Sequence, residues 1–293
     1  MFHIFSKKAG SPEECQQKRD WAGLAKAYYQ LGTEAMEAGK LNQAQLWLNR
    51  ADTIYSADDA IYKKVGEKMM DDCSDRIGQL EEEPLFYNEV PARVSELVES
   101  LEEVQVRAWG LLSLARLVKL GERLAELPGC EVFGRLGWIV DAVLGSLQER
   151  PVEDIINGMS DLCGMFYELG DSAEFWGMGS EIAVPGGAPF QVFDLNGLMG
   201  VHLEIDAYLD GNVKMIYALS QGEETPVPET GIIVGALLPD YYVRTGADRL
   251  EDVPQIKAEL ERIWSDYEFV RADMTWEKVR ERVEAYKKLD ILA

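Results

Sequence analysis

Small residues recur in the stretch "YYQLGTEAMEAGKLNQAQLWLNRA", which covers residues 28–51. Gly32 and Gly39 are seven residues apart, and alanines stand at positions 35, 44 and 51. The distance between two packed helices depends on the side chains at their contact, so small residues permit a close approach that large ones would prevent. We therefore expect a closely packed helical pair here, and the regular spacing indicates a repeat unit.

This stretch resembles one unit of the tetratricopeptide-repeat family, a helix-turn-helix motif of about 34 residues. The resemblance rests on residues that occupy the family's pattern positions, namely Tyr28, Leu31, Gly32, Gly39, Ala44, Leu48 and Ala51. Ala35 departs from the pattern, because a tyrosine is usual at that position. The resemblance implies two antiparallel helices that turn at Gly39 and touch at Gly32 and Ala44.

A second unit follows in the same register. Adding the repeat length places Tyr62, Val65 and Gly66 at the leading positions, and Gly78 where Ala44 stands in the first unit. The pattern is lost at "EEEP", residues 81–84. The resemblance therefore covers about residues 24–80, which is one unit and part of its successor.

In this family the first helix of each unit lines a groove that binds peptides or helices of partner proteins. Carried over by register, the resemblance implies a set of partner-binding residues: Lys26, Tyr29, Thr33, Met36, Glu37, Lys63, Glu67 and Met70. The alternative interpretation is that these side chains pack against the helices that follow. Fewer than about three units cannot form a stable stack alone, so the unit must use a neighbour.

Helical periodicity dominates the first 170 residues. One apolar face follows the i, i+3, i+4, i+7 rule through Val94, Leu97, Val98, Leu101 and Val104. Apolar residues are denser from Trp109 to Leu127, which predicts a helix covered on more than one side. Further helices are expected at 132–147 and after Pro151, and two more at 252–267 and 276–286.

The pattern changes after the glycine- and proline-rich segment "GMGSEIAVPGGAP". Apolar and polar residues alternate in "VHLEIDAYL", residues 201–209, and "DGN" predicts a turn before a returning strand. Residues 190–195 and 232–238 are further strand candidates. The predicted fold class is α+β, mainly helical, with a C-terminal antiparallel sheet packed by helices. The predicted domains are helical hairpins at 1–83, a helical bundle at 84–176 and an α+β domain at 177–293.

The net charge of −23 comes from 29 basic and 52 acidic residues. Residues 1–80 carry 11 basic and 12 acidic residues, whereas residues 81–180 carry 7 and 19, and residues 181–293 carry 11 and 21. A surface of this sign repels phosphate, so we expect neither nucleic-acid binding nor electrostatic docking on an anionic membrane. A basic protein partner is favoured, although acidity can also serve solubility alone.

The four cysteines show no CxxC spacing, which argues against both a zinc site and a disulfide framework. A reducing compartment such as the cytoplasm is therefore favoured. The start of the chain lacks a signal-peptide core, and no apolar run reaches the length of a membrane helix. We therefore predict a cytoplasmic protein that does not enter a membrane.

Candidate catalytic or metal-binding residues are few. His202, Glu204 and Asp206 share the polar face of one predicted strand. At about 3.3 Å per residue, His202 and Asp206 are about 13 Å apart, too far for both to bind one ion. A solvated face is the better interpretation, and neither a nucleotide fingerprint nor a nucleophile elbow is present. We predict no metal site and no cofactor.

The expected function is a non-enzymatic interaction module that binds another protein or peptide. A sharper form is an acidic inhibitor or immunity-type protein that masks a basic partner. The alternative is an enzyme or small-molecule-binding protein with a pocket between the helices and the C-terminal sheet, lined by Trp176, His202 and Tyr208. Self-assembly through an exposed apolar helix is a third possibility.

Overall fold

The computed structural model describes residues 10–56, 59–126, 129–148, 153–170, 182–183, 192–193 and 253–291. The described residues up to Glu89 belong to one compact unit, and those from Val90 onwards belong to a second. The division falls within the helix Phe86–Val98. The predicted three-part division, at 1–83, 84–176 and 177–293, stays a prediction.

The described part of the first unit is helical. Its helices are α1 (Pro12–Gln17), α2 (Trp21–Glu37), α3 (Leu41–Ser56), α4 (Asp59–Val65), α5 (Glu67–Glu81) and the start of α6 (Phe86–Val98). Asp20 caps the start of α2, and its carboxylate accepts a hydrogen bond of 3.0 Å from the backbone N–H of Gly23. This bond satisfies one of the N–H groups that the first helical turn leaves unpaired.

Helices α2 and α3 form a closely packed pair. A Cβ atom on Gly32 would lie 2.7 Å from Cγ and 3.1 Å from the backbone nitrogen of Leu48, so only glycine fits here. Ala44 and Leu48 are fully buried on the facing side of α3. The chain turns at Gly39, whose φ of 72° lies in the left-handed region that favours glycine. The small residues thus set the distance between the two helices.

A buried arginine packs on two aromatic side chains of the α2–α3 pair. The Arg50 guanidinium on α3 lies 4.4 Å from the ring centroid of Trp47 and 5.6 Å from that of Tyr28 on α2. The two rings are themselves stacked, with centroids 5.2 Å apart. Because Arg50 is only 1% exposed, its attraction to the aromatic faces acts with little competition from water.

The second helical unit predicted by register does not repeat this hairpin. Gly66 has a φ of 96° and separates α4 from α5, whereas its counterpart Gly32 lies inside a continuous helix. The α5 helix then continues through Gly78 to Glu81 and packs on α3, where the Cys73 thiol donates to the carbonyl of Leu48. Burial raises the pKa of Cys73 to about 12, so this thiol stays protonated at neutral pH.

The described part of the second unit is also mainly helical. It contains the rest of α6, α7 (Glu103–Leu124), a 3-10 helix (Glu131–Arg135), α8 (Leu136–Ser146), α9 (Glu153–Gly170), β1 (Ile182–Ala183), β2 (Val192–Phe193), α10 (Pro254–Ala272) and α11 (Trp276–Tyr286). The strands β1 and β2 pair antiparallel, with Ile182 opposite Phe193.

Helix α7 is the core of the second unit. Every residue from Val106 to Val118 is buried, which confirms the prediction of a helix covered on more than one side. The apolar stripe predicted to continue from Val94 to Val104 is interrupted, because α6 ends at Val98 and a capping box between Glu102 and Gln105 starts α7. Val104 is consequently exposed rather than buried.

The predicted α+β fold class is wrong, because the described protein is mainly helical and shows no C-terminal sheet packed by helices. Helices α10 and α11 pack on α7 instead, and the Trp109 indole on α7 donates to the carbonyl of Ile263 on α10 at 3.2 Å. Of the predicted strands, 190–195 contains the two-residue strand β2, while 201–209, its returning partner and 232–238 lie outside the described residues.

Candidate interaction site

The predicted partner-binding residues of the first helix share one face of α2. Tyr29, Thr33 and Met36 are half-buried, as is Lys26, and Glu37 is exposed. The Lys26 ammonium donates a hydrogen bond of 2.8 Å to the backbone carbonyl of Lys64 at the end of α4. This bond satisfies a carbonyl that the helix end leaves unpaired.

The predicted residues of the second unit do not complete that face. Lys63 lies on α4 and Glu67 begins α5, and both are exposed. Met70 is buried at 5% exposure, so it is a core residue of the first unit. Glu67 and Asp72 are five residues apart on α5, which places them about 140° apart around the helix. Glu67 therefore lies away from the side of α5 that contacts Tyr29.

The structure instead brings Asp72 and Arg76 of α5 against α2. The Tyr29 hydroxyl donates to the Asp72 carboxylate, and the Arg76 guanidinium lies 3.8 Å from the Met36 sulfur. The contacts proceed in the same order along both helices, so α2 and α5 run in the same direction. We call Tyr29, Thr33, Met36, Asp72 and Arg76 the α2–α5 face.

The register missed Asp72 and Arg76 because it counts residues along the chain. Tyr29 and Asp72 are 43 residues apart and Met36 and Arg76 are 40 apart, both more than the family's repeat length of about 34. Helix α4 and the turn at Gly66 occupy the extra residues. The spacing of Asp72 and Arg76 by four residues predicts an ion pair on a helix, but not which helix it faces.

Charges on the α2–α5 face are paired and accessible. The Arg76 Nε lies 2.6 Å from the Asp72 carboxylate, with side chains 27% and 44% exposed. Burial alone would raise the pKa of Asp72, but hydrogen bonds from Arg76 and Tyr29 outweigh it and hold this pKa below its ordinary value. Burial and the Asp72 carboxylate together raise the pKa of Tyr29. At neutral pH the face therefore presents a carboxylate, a guanidinium and a neutral phenol.

A different cluster of charges lies inside the second unit. Arg116 on α7 is 1% exposed, and its guanidinium lies 2.5 Å from the Glu259 carboxylate and 2.6 Å from that of Asp266. Asp266 is fully buried and also accepts hydrogen bonds from Arg282, at 2.6 Å, and from the Tyr286 hydroxyl, at 2.8 Å. Burial, with the nearby Asp266, raises the pKa of Tyr286 to about 12. This network joins α7, α10 and α11, and its central pair, Arg116 and Asp266, is buried.

The second unit also contains an open cleft of about 320 Å³. Trp276, Leu147 and Ser146 line it, together with Glu103 and Arg107 from the start of α7. Arg107 is 8% exposed and donates to Glu103, and burial lowers the pKa of its guanidinium. The cleft thus combines one aromatic side chain with charges of both signs.

The residues predicted for a pocket or a metal site, namely Trp176, His202, Glu204, Asp206 and Tyr208, lie outside the described residues. Within the described ranges, no group of three His, Cys, Asp or Glu side chains is placed to hold a metal ion. The described helices include none that is long and apolar enough to span a bilayer.

No protein-family model, curated protein or solved structure matches the chain.

Proposed function

We propose that this protein is a non-enzymatic interaction module, which holds a segment of a partner protein against the α2–α5 face. The observation that carries the proposal is the contact of Tyr29 and Met36 with Asp72 and Arg76, which forms a half-exposed polar strip along two helices that run in the same direction. The resemblance of residues 28–51 to a tetratricopeptide unit points to the same helix face.

The chemistry of the face supports a protein ligand. Tyrosine, methionine and arginine are enriched in protein interfaces, where tyrosine and arginine also supply much of the binding energy. Asp72 can accept hydrogen bonds from a partner, and the guanidinium of Arg76 retains donors beyond the one that Asp72 uses. The side chains are held in place by one another, so a partner need not order them.

A sharper form of the proposal is an inhibitor or immunity-type protein that acts in the cytoplasm on a basic partner. Residues 1–89 carry 11 basic and 16 acidic residues, a net charge of −5, whereas residues 90–293 carry 18 and 36, a net charge of −18. Such a charge would attract a basic protein and accelerate the encounter, most strongly at low salt. The lack of CxxC spacing among the cysteines supports a reducing compartment.

The test is affinity capture from the native host with two matched variants. D72A/R76A removes one acid and one arginine from the α2–α5 face, so the net charge does not change. E268A/R271A likewise removes one acid and one arginine, but from α10 in the second unit. The Glu268 and Arg271 side chains are 59% and 54% exposed. We expect the wild type and E268A/R271A to capture the same protein, and D72A/R76A to lose it.

Thermal melting of each variant shows whether it is folded, since loss of one exposed ion pair costs no more than about 1 kcal/mol. Equal capture by the folded D72A/R76A variant would exclude this face as the binding site. Capture that does not weaken between low salt and a physiological ionic strength of about 0.15 M would exclude the electrostatic form.

Small-molecule binding is a second candidate, which the cleft of about 320 Å³ favours because it places Trp276 beside Arg107 and Glu103. A thermal-shift screen against metabolites and divalent metals would detect it. We expect any true ligand of this cleft to lose its shift in a Trp276→Ala variant and to keep it in D72A/R76A. A screen in which no compound shifts the wild type would dismiss this candidate.

A further inference from the structure

The cleft of the second unit lies where three helix ends meet. Its lining comes from the start of α7 (Glu103, Val104 and Arg107), the end of α8 (Ser146 and Leu147) and the first residue of α11 (Trp276). Its volume of about 320 Å³ lies at the lower end of the range of about 300 to 1,000 Å³ that ligand pockets span. The cleft therefore suits a small metabolite and not a segment of a folded partner.

The charges of the cleft differ in their burial. Arg107 is only 8% exposed, whereas the side chain of Glu103, to which it donates, is 42% exposed. Glu102, which also lines the cleft, is exposed as well. The cleft thus combines a buried positive charge with negative charges that are open to water. A ligand that carries both signs of charge would match this arrangement.

Burial of Arg107 favours an anion from a ligand. Removal of the guanidinium from water disfavours its charge, which lowers its pKa. Glu103 compensates only in part, because water screens the attraction of a carboxylate that is nearly half exposed. A carboxylate from a ligand would add a second anion beside the buried cation, and arginine binds carboxylates through strong charge-assisted hydrogen bonds.

Glu103 favours a cation on the same ligand. A simple carboxylate would meet the repulsion of Glu102 and Glu103 without any compensation. An α-amino acid carries its ammonium and its carboxylate on neighbouring atoms. Because Glu103 and Arg107 are in direct contact, such a ligand can pair with both of them at once.

Apolar side chains form the remaining wall of the cleft. Trp276 and Leu147 are half-buried, and Val104 is 38% exposed, which is high for a large apolar residue. A tryptophan ring offers a large apolar surface, and apolar lining with a few fixed polar groups is typical of small-molecule sites. An apolar side chain on the ligand would cover these three residues.

We propose that this cleft binds a free amino acid with a large apolar side chain, whose carboxylate pairs with Arg107 and whose ammonium pairs with Glu103. The side chain of the amino acid packs against Trp276. This inference rests on the second proposed function, small-molecule binding at the cleft, and it names the class of ligand.

The test compares four ligands by isothermal titration calorimetry with the full chain. L-phenylalanine has all three recognised groups, whereas N-acetyl-L-phenylalanine lacks the ammonium, L-phenylalaninamide lacks the carboxylate and L-serine lacks the apolar side chain. We expect L-phenylalanine to bind and each of the others to bind at least about tenfold more weakly, since a hydrogen bond to a charged group is worth that much. No binding of L-phenylalanine, or equal binding of the two phenylalanine derivatives that lack a charge, would overturn the proposal.

A matched pair of variants tests the ammonium contact. Glu103 and Glu122 lie on the same helix with side chains 42% and 52% exposed, and each pairs with a basic residue of its own helix. Glu103→Gln should bind L-phenylalanine about tenfold more weakly, whereas Glu122→Gln should bind it as the wild type does. Glu103→Gln should not weaken the residual binding of N-acetyl-L-phenylalanine, which has no ammonium to lose. A general loss of structure would weaken both ligands, and thermal melting would reveal it.

Equal affinity of Glu103→Gln and Glu122→Gln for L-phenylalanine would overturn the proposed contact. Trp276→Ala should weaken binding several-fold, and unchanged binding by this variant would place the amino acid elsewhere. If the metabolite screen finds a different compound whose thermal shift depends on Trp276, small-molecule binding stands and the amino-acid class fails. The D72A/R76A variant should bind L-phenylalanine normally, so failure of the α2–α5 face would appear only in the capture experiment.

Discussion

The longest described helix of each unit, α2 in the first and α7 in the second, packs by a different means. Five of the seven buried residues on α2 are alanine or glycine, and its close contact with α3 depends on the missing side chain of Gly32. Helix α7 buries Trp109, a series of leucines and the charged side chain of Arg116. The first unit is thus sensitive to added atoms, and the second to the loss of a buried charge partner.

The largest expected effect is at Arg116. We expect Arg116→Met to lower the free energy of unfolding by about 3 to 5 kcal/mol, because it removes a buried partner of the fully buried Asp266. Urea denaturation followed by circular dichroism measures the change. Arg271→Met is the matched control, since its side chain is 54% exposed, and it should change stability by less than about 0.5 kcal/mol. A similar cost for both variants would show that the buried network does not hold α10 and α11 on α7.

An intermediate effect is expected at Gly32. Gly32→Ala places a methyl group 2.7 Å from Leu48 Cγ, so α2 and α3 must separate, and we expect a loss of about 1 to 3 kcal/mol. Labelling of the Cys73 thiol, which contacts the Leu48 carbonyl, should become faster. Gly78→Ala is the control, because nothing lies within 4 Å of its Cβ position and alanine favours the helix by about 0.5 to 1 kcal/mol. If Gly32→Ala left the free energy of unfolding unchanged, the close contact of Gly32 with Leu48 would not determine how α2 packs on α3.

The smallest effect is the pH dependence of the exposed pair on α5. The pKa of Asp72 is lower in the folded protein than its ordinary value of about 3.9, so its contribution to stability is present above that pH and is lost as the pH falls through the folded pKa. Because the pair is partly exposed, we expect this contribution to stay below about 1 kcal/mol. Comparing the wild type with D72A/R76A by denaturation at pH 7 and at pH 3 measures it. If the difference in unfolding free energy between D72A/R76A and the wild type were the same at pH 7 and at pH 3, the pKa of Asp72 would not be lowered in the folded protein.

Much of the helical structure could be predicted from the sequence. The turn at Gly39 and the burial of α7 follow from local patterns that the structure bears out. The roles of Gly32 and Gly66 could not be separated in this way, since the repeat register treats them alike. One lies inside a helix against Leu48, and the other has a φ of 96° and ends α4. The difference arises from what each glycine contacts, which a single sequence does not record.

The candidate site was predictable on one helix only. Tyr29 and Met36 belong to a face of α2 that the family resemblance implies, whereas Asp72 and Arg76 were found only once α5 was placed beside it. A register that follows chain length cannot allow for an inserted helix such as α4. The α+β prediction failed at α10 and α11, which were expected to cover a sheet and instead pack on α7.

The sequence by itself determined that the first 170 residues are mainly helical and that α7 is apolar on more than one side, because helical periodicity is a property of neighbouring residues along the chain. Only the tertiary structure decided which helices meet and which charges are buried. Arg116 and Lys119 are three residues apart on α7, yet their side chains are 1% and 46% exposed. Both are long cations on one helix, and what distinguishes them is that α10 and α11 bring Glu259, Asp266 and Tyr286 to the first and not to the second.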